Sequence, residues 1–178
     1  MIIRIMTKYN NSGDKDSDRN RVYLYFDNDV ENDEVNSKDD GENITSYTHD
    51  SRVSATSYYY RVKAFKYLNG MNRYSDYSST LKATTKPLQP VVSLSSTKTK
   101  YINLSWTKIS KRTTGYEIYM STSKNGTYTL VGTTSNKSFS KGNLTKGKTY
   151  YFKVRAYRSV DNTKIYSSYS TVKSIVCK

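Results

Sequence analysis

The chain has 178 residues, enough for one large domain or two small ones. Hydrophobic residues make up 35%, 19 tyrosines stand among them, and two prolines and eight glycines exclude a collagen-like or Pro-rich chain. The net charge of +14 is divided unevenly, since residues 1–86 carry 13 basic and 13 acidic side chains and residues 87–178 carry 16 and two.

From the start, Ile2-Ile3-Arg4-Ile5 is strand-like but too short for a signal peptide. Two acid-rich runs follow, Asp14-Lys15-Asp16-Ser17-Asp18-Arg19-Asn20 and Asp27-Asn28-Asp29-Val30-Glu31-Asn32-Asp33. Their alternating oxygen ligands suggest Ca²⁺ loops, yet neither has the glycine at the sixth position or the glutamate at the twelfth that an EF-hand requires. They are taken as solvated loops, and residues 27–42 are expected to be partly disordered. Ser57 to Phe65 and Met71 to Tyr74 are strand-like, rich in aromatic and branched residues.

Lys86-Pro87-Leu88-Gln89-Pro90 holds both prolines and marks a boundary. Beyond it the alternation of inward-facing residues is readable strand by strand. Val92 and Leu94 come first, then Ile102, Leu104 and Trp106, then Tyr116 and Ile118. Asn125-Gly126 predicts a type I′ hairpin turn leading to Tyr128 and Leu130. Phe139 makes a short strand, and Tyr150, Phe152, Val154 and Ala156 a long one. Val172, Ser174 and Val176 close the pattern.

Ser57 to Phe65 matches Thr149 to Tyr157 at a shift of 92 residues, with four identities in nine positions. The same shift lays Tyr74-Ser75-Asp76-Tyr77-Ser78 on Tyr166-Ser167-Ser168-Tyr169-Ser170, and Ser46-Tyr47 on Ser138-Phe139. Three separated matches at one shift indicate a duplication of about 90 residues, a size that suits a seven-stranded sandwich.

Trp106, Gly115-Tyr116-Glu117-Ile118-Tyr119, Leu144 to Tyr150 running into Phe152-Lys153-Val154-Arg155-Ala156, and the Tyr166 to Ser170 segment together resemble the fibronectin type III family. The form is that common in bacterial surface proteins and secreted carbohydrate-active enzymes. The resemblance covers residues 88–178 fully and roughly 2–86 in part. It implies an all-β chain of two tandem immunoglobulin-like sandwiches, a truncated module at 1–86 and a complete one at 87–178. Aligning Met6-Thr7-Lys8 with Trp106-Thr107-Lys108 puts Met6 in the tryptophan position and leaves no first strand for the first module. That module, with an open sheet edge, is expected to be the less stable. Tyr150, six residues after Leu144, resembles the tyrosine corner, whose hydroxyl bonds to nearby backbone. The implied role is a non-catalytic extracellular spacer or accessory module of a larger bacterial surface or secreted protein. Its partners would be neighbouring domains of that chain.

Catalytic chemistry finds little support. His49 and Cys177, the sole histidine and cysteine, fall in different halves, which argues against a Cys–His pair, a zinc cluster and a disulfide framework. Glu117 and Asp161 are too few for a paired glycosidase site. Neither a glycine-rich phosphate loop nor a run of about 18 apolar residues is present. No enzyme, cofactor or metal is expected.

The basic second half is the one candidate binding region. Lys108, Lys111 and Arg112 group around one loop, Lys141, Lys146 and Lys148 around another, and Lys153 and Arg155 alternate with core residues and point outward. Such a surface would attract cell-wall or host polyanionic glycans. Nucleic acid is disfavoured, because no recognition motif is present. Weak self-association, the acid-looped first half meeting the basic second half of a neighbour, is a further expectation. Tyr119, Tyr151 and Tyr157 are out of phase with the core, which suits cross-strand packing more than sugar stacking.

Overall fold

The computed structural model describes residues 2–4, 20–27, 34–35, 46–49, 52–68, 71–107 and 109–178. Apart from Asn20 and Asp27, the acid-rich runs, and most of residues 27–42, lie outside the described residues. The chain divides into two compact units, Met1–Arg52 with Ser57–Ala83, and Val53–Thr56 with Thr84–Lys178. The described residues form strands and no helix long and apolar enough to cross a membrane.

The first unit contains β1 (Ile2–Arg4), β2 (Asn20–Asp27), β3 (Glu34–Val35), β4 (Ser46–Thr48), β5 (Ser57–Leu68), β6 (Met71–Tyr74) and β7 (Leu81–Thr84). β1 pairs with β4, and a second sheet runs β3-β2-β5-β6 with β7 also on β5.

The second unit contains β8 (Val92–Ser95), β9 (Ile102–Trp106), β10 (Gly115–Ser121), β11 (Thr129–Thr134), β12 (Ser138–Lys141), β13 (Thr149–Val160), β14 (Thr163–Tyr166) and β15 (Lys173–Val176). One sheet is β12-β9-β8, the other β11-β10-β13-β14 with β15 also on β13. Successive side chains of a strand face opposite ways, so each sheet presents one apolar face to the other. Ile102, Leu104 and Trp106 meet Tyr116, Ile118, Tyr150, Phe152, Val154 and Ala156 in one buried cluster. Phe152, Ile102, Leu104 and Ile118 are the largest wholly enclosed side chains, each worth about 1.5–3 kcal/mol of burial. The indole of Trp106 lies 5.1 Å from the Tyr116 ring, so both aromatics serve the core.

Strand for strand, the first unit repeats these pairings. β1 on β4 corresponds to β9 on β12, β2 on β5 to β10 on β13, and β6 and β7 on β5 to β14 and β15 on β13. β8 has no counterpart among the described residues. Ile3 stands opposite Tyr47 as Leu104 stands opposite Phe139. The alignment that sets Met6 on Trp106 is therefore one residue out of register, and Met6 itself lies outside the described residues.

One turn assignment changes. Ser121 and Thr129 are joined by a longer loop, in which Ser121 Oγ accepts from Ser123 N–H at 3.2 Å and neither Asn125 nor Gly126 has positive φ. The two-residue hairpin with positive φ at both positions is instead Asp161-Asn162, at 48° and 60°, between β13 and β14. The closing strand is also out of phase with the expectation. Ile175 stands opposite the buried Tyr150, so Ile175 and Cys177 face inward and Val172 and Val176 outward.

Candidate functional site

Strand direction fixes where the two loop groups of basic residues lie. Lys141 is opposite Ile102 at the start of β9, whereas Lys111 and Arg112 follow Trp106 at its end. The two clusters thus occupy opposite ends of the second unit. Lys108 lies outside the described residues. Arg112 donates to Thr56 Oγ1 at 2.9 Å, and its carbonyl accepts from Arg158 Nη1 at 3.4 Å.

Lys153 and Arg155 do project from the outer face of β13, as alternation requires, opposite Tyr119 and Glu117 of β10. Their charges are engaged within the sheet. Arg155 reaches Glu117 Oε2 from Nη2 at 2.8 Å and from Nε at 3.0 Å, while Nη2 also donates to Tyr119 Oη at 3.0 Å. Lys164 Nζ donates to Glu117 Oε1 at 3.0 Å, and Tyr166 Oη to the same oxygen at 3.2 Å. The Arg155 guanidinium lies 3.7 Å over the Tyr166 ring. Lys153 sits 4.3 Å over Tyr169 and 4.5 Å over Tyr128, and Lys164 4.3 Å over Tyr157. Cations and tyrosines alternate as a ladder, each cation attracted to the negative face of a ring.

Burial of Glu117 works to raise its pKa, but hydrogen bonds from Lys164, Arg155 and Tyr119, with the Arg155 charge, outweigh burial and lower it to about 2. Burial raises the Tyr119 phenol, and its bonds to Tyr169 and Glu117 raise it further. Tyr119 meets Tyr169 edge-on at 5.3 Å, and Tyr157 packs on the bare Cα of Gly115, where a Cβ would come 2.6 Å from its hydroxyl. These two rings serve cross-strand packing. Tyr151, half-buried, stands opposite Ser121 on the same face.

A backbone latch holds the ladder. Ser170 N–H donates to Val154 C=O at 2.7 Å while Ser170 Oγ accepts from Val154 N–H at 3.0 Å. Ser167 and Ala156 repeat the exchange, both at 2.9 Å. The first unit carries the same device. Ser78 latches Val62, Arg61 lies 4.3 Å over Tyr77, and Lys63 4.2 Å over Tyr74. The doubled Tyr-Ser-x-Tyr-Ser segment, read beside the alternating cations of the preceding strand, is the sequence signal for it.

At the opposite end from Arg112, three segments of the second unit are knitted by backbone bonds. Lys100 N–H donates to Lys178 C=O at 2.6 Å, Leu144 N–H to Lys100 C=O at 3.2 Å, and Cys177 N–H to Lys148 C=O at 3.0 Å. This brings the exposed Lys98 and Lys100 of the β8–β9 turn beside the exposed Lys146 and Lys148 of the β12–β13 crossover, with half-buried Lys141 leading into it. Lys98 and Lys100 were missed by sequence reasoning, since no linear spacing joins them to Lys146.

His49 of the first unit is buried, with Nδ1 3.3 Å from Tyr60 Oη, and Cys177 is buried in the second. Among the described residues no group of three His, Cys, Asp or Glu is placed to hold a metal ion.

The fibronectin type III domain family model matches residues 85–173, half of the chain, and the chain belongs to that family. No curated protein matches it. Among solved structures it is similar to the FN1–FN3 domains of chicken CNTN1, at 22% identity and TM-score 0.46, over 90% of this chain and 57% of that one. A fibronectin type III domain derived from human KIAA0970 protein is 20% identical with TM-score 0.41, over 52% and 72% of the two chains. The chicken interferon gamma receptor alpha chain is 16% identical with TM-score 0.48, over 92% and 88%.

Proposed function

We propose that this fibronectin type III chain is a non-catalytic extracellular spacer, an accessory module of a larger bacterial surface or secreted protein whose neighbouring domains are its partners. The observation that carries this reading is the outer-face ladder. Glu117, Arg155, Lys164 and the tyrosines around them satisfy one another, so the groups that would do chemistry or stack on a sugar hold the sheet together. The first unit places cations over rings in the same way. Two latched units suit a spacer. The test is a panel of neutral glycans and hydrolysable glycoside and ester substrates, at low and physiological salt. No turnover and no saturable retention are expected, and either one reproducibly observed with the purified chain overturns the reading.

A second reading, binding of cell-wall or host acidic polysaccharide through the second unit, is favoured by one observation. Residues 87–178 hold 16 basic side chains against two acids, and one of those acids, Glu117, is enclosed.

A further inference from the structure

We propose that one end of the second unit, formed by Lys98, Lys100, Lys146 and Lys148, is a docking surface for an acidic polysaccharide. This rests on the second reading above and specifies its site.

Four observations converge on that end. The lysines come from two loops held together by main-chain bonds, Leu144 N–H to Lys100 C=O at 3.2 Å among them, so their positions are set by backbone. Lys100 and Gly147 adopt positive φ, 65° and 80°, which fixes the turn each loop makes. Within the unit no carboxylate side chain opposes them. Glu117 is enclosed on the outer sheet face, and Asp161 lies in the hairpin at the other end. Elsewhere in the unit Lys153, Arg155 and Lys164 lie over tyrosine rings, as Lys98 lies over Tyr101, and Arg112 is bonded to Thr56. Four exposed ammonium groups with no carboxylate side chain of the unit beside them raise the positive field at that end.

The chemistry of the end favours a glycan over a nucleic acid. Single-stranded nucleic acid is held by aromatic faces on which bases stack. Tyr150 at that end is buried, and Tyr101 has Lys98 4.5 Å over it and packs so closely on Gly142 that a Cβ would come within 2.5 Å. All four cations are lysines, which bind as point charges and lack the planar fork that reads phosphates and bases bidentately. Point charges suit the carboxylates or sulfates spaced along a polysaccharide.

The test measures calorimetric affinity of the full chain for a sulfated glycosaminoglycan oligosaccharide at physiological salt. A single-stranded DNA of equal charge serves as the competing probe. Changing Lys98, Lys100, Lys146 and Lys148 together to Gln should weaken binding at least about tenfold and flatten its salt dependence. Lys111→Gln with Arg112→Gln should leave it unchanged. Unaltered melting of all variants separates lost contact from lost fold, these lysines being exposed. Equal binding by the fourfold variant overturns the site and leaves the second reading intact. Absence of binding by the wild-type chain overturns both. Tighter binding of the DNA overturns the choice of polysaccharide.

Discussion

Arg155 and Glu117 stand directly opposite on β13 and β10, with Nη2 2.8 Å from Oε2 and the carboxylate side chain only 6% exposed. Breaking such a pair strands the buried partner's charge. Arg155→Ala is expected to destabilise the second unit by about 3 kcal/mol. Arg155→Lys recovers only part of this, because an ammonium loses the fork onto Glu117 and the stacking on Tyr166. Lys164→Ala, removing the more exposed partner, should destabilise the unit less than Arg155→Ala does. Trp106 is the single tryptophan, so its fluorescence during urea unfolding reports this unit selectively.

The same carboxylate makes stability depend on pH. The folded pKa of Glu117, about 2, lies below its ordinary 4.5, so in this window the unfolded chain binds the proton more tightly. The stabilisation is complete above about 4.5 and is lost as pH falls towards 2. Urea midpoints followed through Trp106 at pH 6, 4 and 2.5 should fall more steeply for the wild type than for Glu117→Gln. Parallel declines would show that Glu117 does not carry the dependence.

Tyr150 makes the backbone bond that its resemblance to the tyrosine corner implies, its Oη accepting from Thr145 N–H at 3.0 Å. Tyr150→Phe keeps the buried ring and removes only that acceptor. A loss of about 1 kcal/mol is expected by the same fluorescence assay, with the unfolding slope unchanged. A neutral outcome would mean that water replaces the hydroxyl at no cost.

Alternation and repetition made the fold legible. Ile102, Leu104 and Trp106 recur every second residue because one face of β9 is buried, and the 92-residue shift holds for β5 and β6 against β13 and β14. Local signals misled where tertiary contacts decide. Asn125-Gly126 has hairpin chemistry, yet its loop is longer, and Asp161-Asn162 makes the tight turn. Val172, Ser174 and Val176 continue the alternation at the chain's end, yet the register of β15 on Tyr150 turns Ile175 and Cys177 inward. For the site, phase tells that Lys153 and Arg155 point outward but not what they meet. That required the register with Tyr119 and Glu117 and the return of Tyr166 and Tyr169. The grouping of Lys98 and Lys100 with Lys146 and Lys148 depends on strand direction, which no spacing encodes.

The division of the second unit into a self-satisfied outer face and a charged end is tested most directly by amide chemical-shift mapping of the full chain titrated with the sulfated oligosaccharide at physiological salt. Saturable shifts are expected around Lys98 to Tyr101 and Gly142 to Lys148, with Glu117, Tyr119, Arg155 and Tyr166 unmoved. Saturable shifts centred on those ladder residues, with the lysine loops silent, would contradict it.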